Sequence, residues 1–177
     1  MRIRKFAIGL LAVFAVGAQA ADSAQSLMDA ARKKAASEKK NVMVIFHASW
    51  CGWCHRLDDF MNKSPEGNLV RDSLVVVHIT VMERGAEAKN MNPGGEELMK
   101  SLGGEGAGLP FYAIQSPVGK LILNSLAKGK DEKPTNIGYP AAPEEIAHFM
   151  RMLKLGTKLK VDQFASIEKW LTTNKPK

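Results

Sequence analysis

An apolar run, Asn41-Val42-Met43-Val44-Ile45-Phe46-His47, is followed two residues later by Trp50-Cys51-Gly52-Trp53-Cys54-His55, after which Trp53, Leu57, Phe60 and Met61 recur at helical spacing. The run has no polar alternation, which suits a strand buried on both faces of a sheet and therefore demands helices above and below it. The pattern predicts a strand that ends, and a helix that begins, at a cysteine. Cys51 and Cys54 are the only cysteines in the 177 residues. Two intervening residues let both thiols lie on one helical turn, where they can open and close a disulfide.

The chain starts with Arg2, Arg4 and Lys5, an apolar stretch from Phe6 to Val16, and Ala18-Gln19-Ala20. That order reads as an export signal with a small-x-small cleavage site, and the stretch falls short of the roughly 20 residues a membrane-spanning helix needs. The expectation is a signal peptide over 1–20 and a mature chain from Ala21, periplasmic or extracellular, where thiols can be oxidised. Without Arg2, Arg4 and Lys5 the balance is 22 basic against 18 acidic residues. So mild an excess, with Lys33, Lys34, Lys39 and Lys40 reading as a solvated helix face, argues against a nucleic-acid partner. About 157 residues with 45% apolar composition fit one domain with a conventional core, and two cysteines cannot form a disulfide scaffold.

Helical periodicity covers Asp22 to about Lys39, with Leu27, Ala30, Ala31 and Ala35 on one face and Asp22 or Ser23 as cap. Ser64-Pro65-Glu66-Gly67 is expected to break the helix after the cysteines, with a short helical piece over 68–72. Leu74 to Val81 reads as a second strand, 83–95 as a loop, 96–102 as a helix and 103–108 as a Gly-rich connection. Phe111–Gln115 and Lys120–Leu126 flank Ser116-Pro117-Val118-Gly119 as a hairpin. The polar segment 128–136 reads as a loop. Pro143 opens a helix with Ile146, Phe149, Met150 and Leu153 inward, and a last helix over 161–171 turns Phe164, Ile167 and Leu171 inward. This order describes one α/β layer structure with a mixed sheet.

A cysteine at a helix N-terminus faces unpaired backbone N–H groups, which favour thiolate over thiol. Cys51 is thus the expected nucleophile, and Cys54, one turn in and more enclosed, the thiol that resolves a mixed disulfide. His55, one turn after Cys51, is placed to stabilise the thiolate as an imidazolium. Of the flanking indoles, Trp53 is expected to contact a partner and Trp50 to pack the motif down.

In these residues the chain resembles the thioredoxin family. The resemblance runs from about Asn41 to Leu155, carried by the strand leading into Ala48-Ser49-Trp50-Cys51-Gly52-Trp53-Cys54 and by Gly108-Leu109-Pro110-Phe111 about 56 residues later, before the hairpin. It implies a thioredoxin-like fold, mixed sheet flanked by helices, with a core at 41–155; the C-terminal helical extension within 157–177 and the Gly-rich insertion over 94–108 lie outside what the resemblance explains. It also implies a cis Pro110 against the disulfide, with Leu109 offering backbone hydrogen bonds to an extended substrate and Trp50, Gly52 and Trp53 framing the groove. Two positions depart from the family pattern. The buried acid six residues before the first cysteine is replaced by Ile45, and the lysine often found on the next strand by His78. His47, His55, His78 and Glu83 are the candidate substitutes for proton transfer or thiolate tuning.

Cys-x-x-Cys-His is also the attachment signature of c-type haem, and nine methionines offer second ligands. Against that reading, the motif follows a buried strand, and Trp50 and the Gly-Leu-Pro element have no role in it. Two sulfurs are too few for structural zinc, so no metal is expected. A third reading is a thioredoxin-like module that binds partners with little turnover. The expectation is a protein-disulfide oxidoreductase, reductase favoured over oxidase, whose only redox group is the Cys51–Cys54 pair. Its partners would be protein thiols and disulfides and a membrane-bound electron donor or acceptor, and it would act as a monomer.

Overall fold

A computed structural model describes residues 21–129 and 133–175. The expected signal peptide, residues 1–20, lies outside them. Helix α1 (Ala24–Glu38) starts at Ser23, whose hydroxyl accepts the Ser26 N–H, and ends at Lys39 in the left-handed region at φ 54°. Ala24, Met28, Ala31 and Ala35 form its buried stripe. Strand β1 (Asn41–His47) runs parallel to β2 (Leu74–Thr80) and antiparallel to β3 (Phe111–Gln115), which pairs with β4 (Leu121–Asn124); the sheet order is β2-β1-β3-β4. The apolar run of β1 thus lies at the centre of a mixed sheet, buried on both faces.

Side-chain alternation divides the core into two layers. Val42, Val44 and Phe46 join Val75, Ile79, Phe111 and Ala113 against α1 and against Met99 of helix α4 (Gly95–Ser101). Met43 and Ile45 face the other way, with Tyr112 and Ile114, onto α2 (Gly52–Lys63), α3 (Pro65–Ser73), α5 (Pro143–Gly156) and α6 (Val161–Thr173). Ile146, Phe149, Met150 and Leu153 of α5 are buried as their spacing predicts. In α6, Ile167 and Leu171 are buried, while Phe164 is only partly covered.

Several segments differ from the sequence reading: 83–95, read as a loop, holds a 3-10 helix over Gly85–Asn90, and the second hairpin strand, expected over 120–126, spans only Leu121–Asn124. Ser64-Pro65-Glu66-Gly67 does not interrupt helical structure for long. The Ser64 hydroxyl accepts the Gly67 N–H at 2.9 Å and donates to the Phe60 carbonyl at 2.8 Å, and Pro65 occupies the first turn of α3, where its missing N–H costs nothing. A Cβ on Gly67 would stand 1.9 Å from the Phe60 oxygen, so the α2–α3 corner admits only glycine. The segment read as a loop over 128–136 contributes to a second, two-stranded sheet, β5 (Leu126–Lys128) paired antiparallel with β6 (Pro134–Asn136). Three-residue strands carry too little alternation to show in sequence, and Pro134 lowers strand propensity further.

Helix α6 packs against α2 and α3. Trp170 packs 4.8 Å from Phe60 of α2 between ring centroids, and the Ser166 hydroxyl bonds the Glu66 carboxylate of α3. Leu171→Ala should lower unfolding free energy by about 2–5 kcal/mol in urea denaturation, because the side chain is fully enclosed. A loss below about 0.5 kcal/mol would show that α6 is only docked on the surface.

Candidate redox site

Cys51 and Cys54 form a disulfide with Cα atoms 5.3 Å apart. Cys51 is the N-cap of α2, and its Sγ accepts the Cys54 N–H at 3.1 Å, so the sulfur occupies the place a capping hydroxyl or carboxylate would take. A thiolate there would keep that donor and the positive end of the α2 dipole. Both cysteines are nearly enclosed, at 4% and 2% exposure, so Cys54 is only marginally the more covered. Ala48 and Leu109 pack against the pair.

The Leu109–Pro110 peptide bond is cis. Its loop is held from a direction the sequence did not reveal: the Asn136 side-chain amide donates to the carbonyls of Gly108 at 2.7 Å and Pro110 at 2.9 Å, gripping both sides of Leu109. The Asn136 oxygen accepts from Ser125, whose hydroxyl oxygen in turn accepts the Tyr112 N–H, and Tyr112 donates its own hydroxyl to the Gly138 carbonyl. Asn136, which presents this amide, is the last residue of β6. Burial pushes the Tyr112 hydroxyl well above the usual phenol range, so it remains a donor.

A second clamp holds the turn before Cys51. The Glu83 carboxylate accepts the Ser49 N–H at 2.6 Å and the Ser49 hydroxyl at 2.7 Å, while Nε2 of His55 donates to the Ser49 carbonyl at 2.8 Å. The Trp50 indole N–H donates to the carbonyl of Met82, a residue bent into the left-handed region at φ 55°. Glu83 and His55 therefore both act on Ser49. Trp50, expected to be packed down, is anchored by its N–H yet remains 46% exposed; Trp53 is 50% exposed and stacks on Tyr139 at 6.2 Å. Gly52 is exposed, and a Cβ there would meet nothing within 4 Å.

Strand register sets the two departures from the family pattern side by side. Ile45 pairs with His78 and His47 with Thr80 across β1 and β2, so the positions of the acid and the lysine are neighbours. Nε2 of His78 lies 2.9 Å from the Asp58 carboxylate on α2, and the His47 ring meets the His78 ring edge-on at 5.2 Å. Thr80 Oγ1 is 3.3 Å from His47 Nε2. Burial, and then the neighbouring His78, hold the His47 imidazole below its ordinary range despite the opposing pull of Asp58 and Glu83, so it is neutral near pH 7. Asp58 had no motif to mark it; its i+7 position on the helix after Cys51 was the available signal.

Beside Leu109 runs a groove of about 940 Å³, walled by Trp53, the Gly-rich loop 103–108, strand β6 and the start of α5. Among the described residues no cluster of His, Cys, Asp or Glu suits a metal ion, and no helix is long and apolar enough to cross a membrane.

A family model described as thioredoxin-like matches residues 23–117, and the chain belongs to that family. Its match ends within the hairpin, leaving α5 and α6 beyond it. Among solved structures, a disulphide isomerase of Xylella fastidiosa is 20% identical, over 63% of this chain and 80% of that one, with a TM-score of 0.48. The C-terminal domain of Neisseria meningitidis DsbD in oxidised form is 21% identical, over 88% of this chain and 100% of that one, with a TM-score of 0.43. A DsbH oxidoreductase is 17% identical, over 85% and 96%, with a TM-score of 0.45. No curated protein sequence matches the chain. The molecule is an α/β thioredoxin-like fold with a Cys51–Cys54 disulfide.

Asn136→Ala would leave the fully buried Ser125 hydroxyl without its acceptor and two loop carbonyls without donors. It should cost about 1–3 kcal/mol in chemical denaturation. An unchanged midpoint and slope would show that the loop holds itself.

Proposed function

We propose that this chain is an exported thiol–disulfide oxidoreductase that reduces disulfides in protein substrates, working as a monomer from Ala21 onward and recharged by a membrane-bound dithiol donor. The observation that carries the reading is Cys51 Sγ at the N-cap of α2, accepting the Cys54 N–H, with the cis Leu109–Pro110 loop packed on the same pair. In the reduced protein, the Cys51 thiolate attacks one sulfur of a substrate disulfide, forming a mixed disulfide and expelling the other sulfur as thiolate. Cys54, deprotonated, attacks Cys51 Sγ; the second substrate thiolate leaves and the Cys51–Cys54 bond re-forms. Two electrons pass to the substrate, whose thiolates take up protons.

We assign the Cys54 proton to His47, which shares a face of β1 with Ile45, where the family's acid would stand, and is neutral near pH 7. Leu109 offers its backbone to an extended substrate, and Trp50, Gly52 and Trp53 border the approach. Electrons arrive and leave as thiols, so the reaction calls for no organic cofactor or metal. Haem attachment fits these residues poorly, since it needs both sulfurs bonded to the porphyrin and His55 Nε2 free for iron, whereas the sulfurs are enclosed and Nε2 faces the Ser49 carbonyl.

Insulin reduction driven by dithiothreitol tests the reading. The wild type should accelerate it, Cys51→Ser should abolish the acceleration, and Cys54→Ser should trap a mixed disulfide visible by non-reducing mass spectrometry. Turnover by Cys51→Ser at the wild-type rate would refute the assignment.

A further inference from the structure

Each of the two half-exposed indoles beside the disulfide carries an arginine. Arg84, from the loop after β2, places its guanidinium carbon 4.3 Å from the Trp50 ring centroid, and Arg56, on α2, places its own 5.4 Å from that of Trp53. Both arginines are exposed. The indoles are themselves fixed, Trp50 by its bond to the Met82 carbonyl and Trp53 by stacking on Tyr139. A guanidinium laid on an aromatic face is held in place, yet keeps its N–H donors at the rim, shaped for a carboxylate.

Neighbouring acids do not use those donors. Asp58 pairs with His78, Asp59 with Lys63, and Glu83 is bound to Ser49. Neither arginine has an ion-pair or hydrogen-bond partner among the described residues. In the chain Gly52 stands between Trp50 and Trp53, with a backbone any residue could adopt and open space where a side chain would go. Nothing within the fold requires glycine there, whereas a close-approaching partner would.

We propose that this face docks an acidic segment of a partner protein, with carboxylates on both sides of the reactive disulfide pairing with Arg56 and Arg84 while its backbone passes over Gly52. The inference rests on the oxidoreductase reading and names the chemistry of its substrate. Charge complementarity selects the occupant: two unpaired cations, pre-positioned on apolar platforms, border the reactive sulfur.

The test uses short peptides with one cysteine activated as the pyridyl disulfide, flanked by either glutamates or lysines. The Cys51 thiolate of the reduced protein takes the peptide sulfur and expels 2-thiopyridone, which is read by absorbance. The measured quantity is the ratio of acidic-peptide to basic-peptide rate constants, which cancels any change in the thiolate itself. At about 0.01 M ionic strength, where screening reaches roughly 30 Å, the ratio should be about threefold or more, and it should fall toward one near 1 M salt. In the double variant R56Q/R84Q the low-salt ratio should fall below half the wild-type value.

A wild-type ratio under threefold, or one that the double variant keeps, overturns the proposal. Absence of reaction with either peptide defeats the oxidoreductase reading instead. Docking is then judged by titrating the oxidised protein with serine versions of the peptides and reading Trp50 and Trp53 fluorescence: saturable binding of the acidic peptide alone supports it, and equal or no binding overturns it. Arginine-dependent binding to phosphatidylglycerol vesicles, without any peptide preference, would assign the face to a lipid surface and likewise overturn it.

Discussion

The site depends on one junction, where the central strand ends and helix α2 begins at a sulfur. Burial of β1 on both faces fixes the height at which the chain leaves the sheet, and the first-turn N–H groups of α2 then face Cys51, that of Cys54 reaching both its Sγ and its carbonyl. Those donors need an acceptor whichever redox state the pair is in. A disulfide sulfur meets that need weakly and a thiolate strongly, which couples helix capping to the chemistry of the pair.

Around the junction the fold spends side-chain hydrogen bonds on backbone that no regular element supports. Glu83 and His55 hold Ser49, the Trp50 indole holds Met82, and Asn136 holds the carbonyls on both sides of Leu109. Loops need partners for their polar groups as much as helices do. Here those partners come from the β2–α4 connection and from the small β5–β6 sheet, segments with little apolar content of their own. The large groove beside Leu109 is the space left between that small sheet, the Gly-rich loop and α5.

Elements that bury a periodic apolar face were legible in the sequence: α1 through its alanines, β1 and β2 as continuous apolar runs, α5 and α6 through their inward stripes. The cysteine pair and Pro110 were legible because their spacing and flanks are specific. The β5–β6 sheet was not, since three-residue strands leave no alternation to read and Asn136 reaches a loop far away in sequence. Nor was the division of labour among the candidates for tuning. His47, His55, His78 and Glu83 are close to the motif in space, but only cross-strand register and the i+7 position of Asp58 decide that His78 meets a carboxylate while Glu83 and His55 both hold Ser49. Trp50 was half legible: its indole N–H is anchored inward while its ring remains open to solvent under Arg84.

The central claim is that the Cys51–Cys54 couple passes electrons to protein disulfides. The equilibrium reduction potential of the couple in the protein from Ala21 onward, titrated against dithiothreitol or glutathione buffers, tests it most directly. The account predicts a value closer to about −270 mV than to −120 mV, the range of a reductant recharged by a dithiol donor. A value near about −120 mV would contradict it, because a couple at that potential gives disulfides away.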